Sequence, residues 1–320
     1  MIKPFVALAS SFAMLAFPAL VQAQQLPPLI RMVVPFAPGA STDVTARAIA
    51  QQLGPRLGVN VIVENKAGAA GMIGAAAVAR GPKDGSQLLF TSISMISAAA
   101  TTRNAPIDVV NDLVPAAIVY EAPQILVVPA SSSIKTVQDF VAAARARPNH
   151  IKLGTGGVGT IAHLTGELLN TSAGIQTMHV PYKGASLALT DLISGTLDGM
   201  FAFHTTFAGN IENGRLRAIG VTSEKPSPAF PAVPAINTVV SGFSGTAWTA
   251  VFVAAETPAP IVARLNREIN EISRSKELAR MMASDGATPL ALTPPQAATW
   301  VRDSYSTWKH LATSKNIVLD

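Results

Sequence analysis

Three loops rich in small and hydroxyl residues each follow a predicted strand and open a predicted helix. The first, residues 35–43, contains Gly39, Ser41, Thr42 and Asp43. Glycine lets the backbone turn with positive φ, and the unpaired N–H groups of a first helical turn attract a carboxylate or a phosphate. Thr42 or Asp43 could equally serve only as a helix cap. This loop is therefore either an anion site or an ordinary helix start.

The second loop, residues 64–71, has Gly68 and Ala69, whose small side chains would leave backbone amides open to a ligand. Packing of small residues between helices explains the same composition. Both loops are expected at one end of a parallel sheet, where ligands of such sheets bind.

The third loop, residues 153–160, ends in Gly159 and Thr160 and contains one G-x-G-x-x-G match, a spacing that can hold a dinucleotide. The match lies in the middle of the chain, and the next predicted strand ends in Val180-Pro181-Tyr182-Lys183 without an acid for a ribose. We therefore interpret the loop as a helix start that offers amides and a hydroxyl, and we predict no cofactor.

Catalytic and metal-binding motifs are not indicated. None of the five histidines forms H-x-x-x-H or H-E-x-x-H, and the chain has no cysteine. The G-x-S-x-G pattern of a nucleophile elbow is also missing. The sequence predicts a protein that is not an enzyme and holds no metal, although dispersed residues could still perform hydrolysis.

The composition describes a compact globular protein, with 49% hydrophobic and 13% charged residues among 320. Lys and Arg exceed Asp and Glu by 24 to 19, which gives a net charge of +5. The basic residues are scattered, whereas nucleic-acid binding requires a concentrated basic stripe. We predict no nucleic-acid partner.

The first 23 residues have the organisation of a secretory signal. Lys3 is followed by an apolar stretch and by the small-residue exit Val21-Gln22-Ala23. A membrane anchor is the alternative, but the stretch is shorter than the ~20 residues that a spanning helix needs, and Pro18 interrupts it. We predict cleavage after Ala23 and a periplasmic product.

Short β-rich runs alternate with helical stretches, which predicts an α/β protein with mostly parallel sheets flanked by helices. The pattern repeats after Tyr120, and a helical tail follows Ala254. We predict two lobes, residues 24–124 plus 246–320 and residues 125–245, joined by two hinge crossovers.

The order and spacing of several segments resemble the substrate-binding proteins of tripartite tricarboxylate transporters, the Bug family. The resemblance runs from about Ile30 to the C-terminus and rests on these segments: Val34-Pro35-Phe36-Ala37-Pro38-Gly39 with Thr42-Asp43, Val63-Glu64-Asn65 with Gly68-Ala69, Gly157-Val158-Gly159-Thr160 with His163-Leu164, Pro181-Tyr182-Lys183-Gly184, Trp248, and Thr257-Pro258-Ala259-Pro260. The chain departs from the family pattern at Ala40, at Lys66-Ala67 and at Ala70.

The resemblance implies a type II periplasmic-binding fold in which two lobes close on a ligand carboxylate. The residues it implies for ligand binding are Phe36, Gly39, Ser41, Thr42, Asp43, Gly68, Ala69, Thr91, Ser92, Gly159, Thr160, His163 and Phe203.

The resulting functional hypothesis is a monomeric periplasmic receptor for a dicarboxylate, a tricarboxylate, an acidic amino acid or an aromatic acid. Its partners would be membrane transporter subunits or a sensor kinase. A sensor without a transporter of its own, or an exported α/β enzyme, are the alternatives.

Overall fold

The computed structural model describes residues 26–319. The predicted signal segment, residues 1–23, lies outside the described residues. Within the described part of the chain, no helix has both the length and the apolar character needed to cross a membrane.

The described residues contain eleven strands, which form two sheets. In chain order they are β1 Leu29–Val34, β2 Asn60–Asn65, β3 Gln87–Ser92, β4 Leu113–Ala122, β5 Ile125–Pro129, β6 Lys152–Thr155, β7 Met178–Pro181, β8 Gly199–Ala202, β9 Leu216–Val221, β10 Ala247–Ala254 and β11 Thr288–Pro289. The first sheet has the order β11-β4-β10-β3-β1-β2 and the second has the order β7-β6-β8-β5-β9.

Ten α-helices cover the sheets, with short 3-10 segments at 69–71, 236–238 and 283–285. The helices are α1 Ser41–Leu57, α2 Met72–Ala79, α3 Ser94–Thr101, α4 Val137–Ala146, α5 Ile161–Ala173, α6 Ala185–Ile193, α7 His204–Glu212, α8 Ala259–Ser273, α9 Lys276–Met282 and α10 Pro294–Ser314.

Both sheets are mixed, and most strands of each sheet run in one direction, as predicted. Strand β1 runs parallel to β2 and β3, but β10 runs antiparallel to both β3 and β4. In the second sheet β6 is parallel to β7 and β8, whereas β5 is antiparallel to β8 and β9. The antiparallel pairs all involve β4, β5, β9 or β10, the strands next to the two chain crossings between the sheets, or the edge strand β11.

Each sheet is buried on both faces. In the first sheet, Met32 and Val34 pack with Leu53 of α1 and Leu265 of α8, all fully buried. Val33, on the opposite face of β1, belongs to a second cluster that includes residues of α2, α3 and α10. Burial on both faces explains why β1 reads as an almost continuous apolar run.

Local capping motifs lie at two of the helix starts. Thr136 caps α4 in a capping box with Asp139, and Thr293 starts α10 with Gln296 in the same arrangement. Helices α3 and α7 and strand β4 were not predicted.

The three helices after β10 pack on the first sheet, where α8 and α10 contact β4. The exact lobe boundaries stay a prediction.

Candidate functional site

A cavity of about 280 Å³ lies between the two sheets, and residues from distant parts of the chain surround it. Strands β4 and β10 contribute its floor, the first sheet contributes the starts of α1 and α3, and the second contributes the starts of α5 and α7. The lining residues are Phe36, Ser41, Thr42, Thr45, Ser92, Ile93, Ser94, Tyr120, Ala122, Ile161, Phe203, Ala247, Trp248, Thr249, Met281, Met282, Asp285 and Ala287. We refer to this cavity as the cleft.

The N-terminus of α1 opens onto the cleft at Ser41 and Thr42. Gly39, with φ +81°, makes the turn that ends the preceding loop, and Ala40 occupies the cap position without a side-chain hydrogen bond. Among the described residues, no acceptor pairs with the N–H groups of Ser41 and Thr42. These donors are therefore free for an anion in the cleft.

Asp43 holds the first loop in place from behind. Its buried carboxylate accepts hydrogen bonds from the Gly39 N–H at 2.9 Å, from Arg47 Nε at 3.0 Å and from Asn65 Nδ2 at 2.8 Å. The Arg47 hydrogen bond is the main reason that the pKa of Asp43 is lowered to about 2, and the bonds from Gly39 and Asn65 add to it. Asp43 thus positions the start of α1 and ties the first loop to the end of β2.

A second helix N-terminus, that of α3, faces the same cleft through Ser92, Ile93 and Ser94. The two serine hydroxyls lie 3.2 Å apart, and the Ser94 N–H approaches Ser92 Oγ at 3.4 Å. The Ile93 N–H donates to the Trp248 carbonyl at 2.9 Å, which fixes the start of α3 to β10. The starts of α1 and α3, with their hydroxyls, form what we call the anion end of the cleft.

The second glycine-rich loop lies away from the cleft lining. Gly68, Ala69, Ala70 and Gly71 all have positive φ, a conformation that costs an alanine about 1–2 kcal/mol. Beside this loop, on β3, the Thr91 hydroxyl is fully buried and has no hydrogen-bond partner among the described groups. Gly68, Ala69 and Thr91 therefore lie beside the anion end rather than on the cleft surface.

The third loop forms part of the second-lobe wall and is held by histidine. The Gly159 N–H donates to His163 Nδ1 at 3.1 Å, and Thr160 Oγ1 accepts from the His163 N–H at 3.4 Å. The Gly159 carbonyl accepts from the Ser97 hydroxyl of α3, so the two lobes touch here. Gly159, Thr160 and His163 support this wall, and the next residue, Ile161, lines the cleft.

His163 is buried and stacks on His179, with ring centroids 3.6 Å apart. Burial lowers the pKa of His163 to about 4, and the neighbouring His179 adds to this effect. Burial likewise lowers the pKa of His179, whose Nε2 lies 2.7 Å from Thr155 Oγ1. A neutral imidazole can accept from Gly159 at Nδ1, which matches the observed contact.

At the other side of the cleft, an acidic side chain of the first lobe reaches the N-terminus of α7. Asp285 Oδ1 accepts from the Thr205 N–H at 2.9 Å, and Oδ2 lies 3.3 Å from Thr205 Oγ1. His204 Nδ1 is 2.8 Å from the Ser284 carbonyl. We call this pair of contacts the α7 latch, because it joins the segment after α9 to the second lobe.

The floor of the cleft carries Tyr120 and Trp248 on neighbouring strands. Burial raises the pKa of Tyr120, and the nearby charge of Asp285 contributes in the same direction. Trp248 is almost fully buried, and its Nε1–H donates to Ser304 Oγ of α10 at 3.2 Å. Trp248 also lines a second cavity of about 320 Å³ behind β10, together with Trp300 and Trp308.

The structure thus places the thirteen predicted residues in two groups. Phe36, Ser41, Thr42, Ser92 and Phe203 line the cleft. The others lie behind or beside its walls: Gly39, Asp43, Gly68, Ala69, Thr91, Gly159, Thr160 and His163. Within residues 26–319, no group of three or more His, Asp or Glu side chains is arranged to hold a metal ion.

Most of the residues that line the cleft were not predicted, among them Ser94, Met281, Met282 and Asp285. The polar run from Thr91 to Ser94, between a strand and a helix, was a usable signal for Ser94. No local signal marks the other three residues, which the fold brings to the cleft from far along the chain.

The sequence profile of the tripartite tricarboxylate transporter family receptors matches residues 45–317. Protein BugT of Bordetella pertussis (strain Tohama I) is 36% identical over 282 residues, which cover 87% of this chain and 86% of BugT.

Among solved structures, the periplasmic binding protein BugD is similar with a TM-score of 0.72 and 28% identity, covering 90% of this chain and 98% of BugD. A protein of R. palustris solved with adipate has a TM-score of 0.75 and 28% identity, covering 91% of this chain and 98% of its own. These likenesses confirm the predicted two-lobed periplasmic-binding fold.

Proposed function

The chain belongs to the tripartite tricarboxylate transporter receptor family, and we propose that it captures a small organic carboxylate in the cleft between its two lobes. The observation that supports this most directly is the convergence of two helix N-termini, those of α1 and α3, on one cavity. Each N-terminus carries a partial positive charge, and that of α1 also offers the unpaired N–H groups of Ser41 and Thr42.

Backbone amides and hydroxyls would do the binding. No Lys or Arg lines the described cleft, so the negative charge would be met by the Ser41 and Thr42 amides and by the hydroxyls of Ser92 and Ser94. Hydrogen bonds to a charged group contribute about 1.5–3 kcal/mol each, and three or four of them could support micromolar affinity after the cost of closure.

The thirteen predicted residues have different roles in this proposal. Ser41, Thr42 and Ser92 would touch the carboxylate, Phe36 and Phe203 would contact the ligand body, and the remaining eight would position the loops. The proposal also retains the predicted lobe boundaries, near residues 124 and 246.

The proposed setting is the periplasm. BugD is a periplasmic binding protein, and the first 23 residues of this chain have the organisation of a signal peptide. We propose that the mature receptor is a monomer that delivers its ligand to membrane transporter subunits. A sensor kinase as the partner would instead predict a ligand-dependent change in autophosphorylation.

Thermal-shift screening against small carboxylic acids tests the proposal. A ligand at 100 times its Kd should stabilise the folded protein by about 2.7 kcal/mol and raise Tm by several degrees. The matched primary amide of each acid is the control, because it keeps the shape and removes the charge. A flat Tm across mono-, di- and tricarboxylates and amino acids would contradict carboxylate binding.

A further inference from the structure

The walls of the cleft between the anion end and the α7 latch are largely apolar. Phe36 and Trp248 come from the first lobe, and Ile161 and Phe203 from the second. Met282, buried at the end of α9, closes the same side. Apolar walls favour a ligand body of hydrocarbon character, because burying such a body removes apolar surface from water.

Asp285 is the one charged side chain among the described residues that line the cleft. Its carboxylate is held by the Thr205 N–H at 2.9 Å and faces the Thr205 hydroxyl at 3.3 Å, so it cannot swing away without breaking the α7 latch. Its charge also acts on Tyr120 on the floor of the cleft, where it helps to raise the pKa of that side chain. The cleft therefore contains a fixed negative charge of its own.

The anion end and Asp285 line the same cavity of about 280 Å³. A diacid that places one carboxylate at Ser41 and Ser92 brings the other one into the cavity that Asp285 lines. Like charges brought together in a binding site are unfavourable. The helix N-terminus that could have received the second carboxylate, that of α7, already binds Asp285.

Granting the carboxylate-binding function proposed above, we infer that the cleft selects monocarboxylates with an apolar body and that Asp285 is the residue that rejects diacids. A hydroxyl or amine at the far end of the ligand is compatible with this arrangement, because a carboxylate has acceptor positions beyond the two that Thr205 occupies.

Isothermal titration of matched ligand pairs tests the assignment. In 4-methylbenzoate and terephthalate, and in hexanoate and adipate, the second acid replaces a methyl group of the first by a carboxylate. The wild-type protein should bind the monoacid of each pair at least about tenfold more tightly. Asp285→Asn keeps an oxygen acceptor for the Thr205 N–H but removes the charge, and it should reduce that ratio by roughly tenfold.

Two variants separate charge from other effects. Thr205→Val keeps the charge of Asp285 and removes one contact of the α7 latch, so both affinities should fall together and their ratio should stay. Glu256→Gln removes one charge from an exposed ion pair with Lys83 and should leave the ratio unchanged.

Equal or tighter binding of the diacids by the wild-type protein would overturn the role of Asp285, as would an unchanged ratio in Asp285→Asn. A lack of binding by every acid, mono- and diacid alike, would instead contradict the proposed function itself.

Discussion

Helix N-termini lie at both ends of the cleft, but they differ in whether their N–H groups already have acceptors. At the anion end, the N-terminus of α1 presents donors without acceptors from the described chain, whereas at the start of α3 the Ser94 N–H donates to Ser92 Oγ. At the α7 latch, a helix N-terminus of the same kind already binds Asp285. A helix start is therefore not by itself evidence for a ligand site, and its partners decide what it does.

The two lobes also differ in how their loops are positioned. The loop at α1 depends on Asp43, an ionised carboxylate that receives three hydrogen bonds. The loop at α5 depends on His163, a buried neutral imidazole that receives one from Gly159. The first lobe thus uses a charge to position its donors, whereas the second uses a neutral ring.

The largest effect is expected when the hydrogen bonds that position the anion end are removed. Asp43→Ala removes the acceptor for Gly39, Arg47 and Asn65, and we expect a loss of about 2–3 kcal/mol in the free energy of unfolding. Carboxylate affinity should fall at least tenfold, because the α1 donors lose their position. Urea denaturation and isothermal titration measure the two effects.

Asp108→Ala is the matched control for this change. Asp108 also accepts backbone N–H bonds, from Val110 and Asn111, but it does not line the cleft. It should lower stability without changing affinity. An Asp43→Ala protein that binds carboxylates normally would show that the α1 donors do not carry the anion site.

A smaller effect should follow from removing one hydroxyl of the anion end. Ser94→Ala deletes a cleft-lining group and leaves the backbone of α3 intact, so carboxylate affinity should fall by about threefold to tenfold with little loss of stability. Ser132→Ala is the control, because Ser132 Oγ accepts from the Ile134 N–H outside the cleft, much as Ser92 does from Ser94. Equal affinities in the two variants would remove Ser94 from the site.

The effect that is smallest at neutral pH separates the two lobes by their response to acid. The folded-state pKa of His163 is lowered to about 4, below the unfolded value near 6.5, so the unfolded chain takes up a proton first as pH falls. His163 therefore contributes a loss of stability between pH 6.5 and about 4. Over that interval Asp43, whose pKa is lowered to about 2, stays ionised.

His163→Gln should flatten the dependence of unfolding free energy on pH between 6.5 and 4, measured by urea denaturation across that range. His150→Gln, which removes an exposed imidazole, is the control. A slope that is the same in the wild-type protein and in His163→Gln would assign the acid response to other groups.

The sequence predicted features that follow from local chemistry. The strand, turn and hydroxyls around Gly39 indicated a helix start with free donors, and Thr136 and Asp139 have the spacing of the capping box that starts α4. Both signals lie within a few consecutive residues, so the chain carries them before it folds.

What the sequence did not predict depends on tertiary contacts. Helix α3 is mostly alanine and small residues and has a weak apolar stripe, so the start at Ser94 was missed. Asp285 lies far along the chain from Thr205 and Tyr120, and only the return of the helical tail to the first sheet brings it to the cleft. Whether a glycine-rich loop faces the cleft, as at Ser41, or lies beside it, as at Gly68, also depends on the assembled fold.

Trp248 touches the cleft on one side and the Trp300–Trp308 cavity on the other, while its carbonyl receives the start of α3. The fluorescence of its indole therefore depends on the polarity of the cleft that a ligand would fill, while its N–H is bonded to Ser304 outside the cleft. Occupancy of the receptor should thus be readable as a change in emission from the unlabelled protein, without a dye.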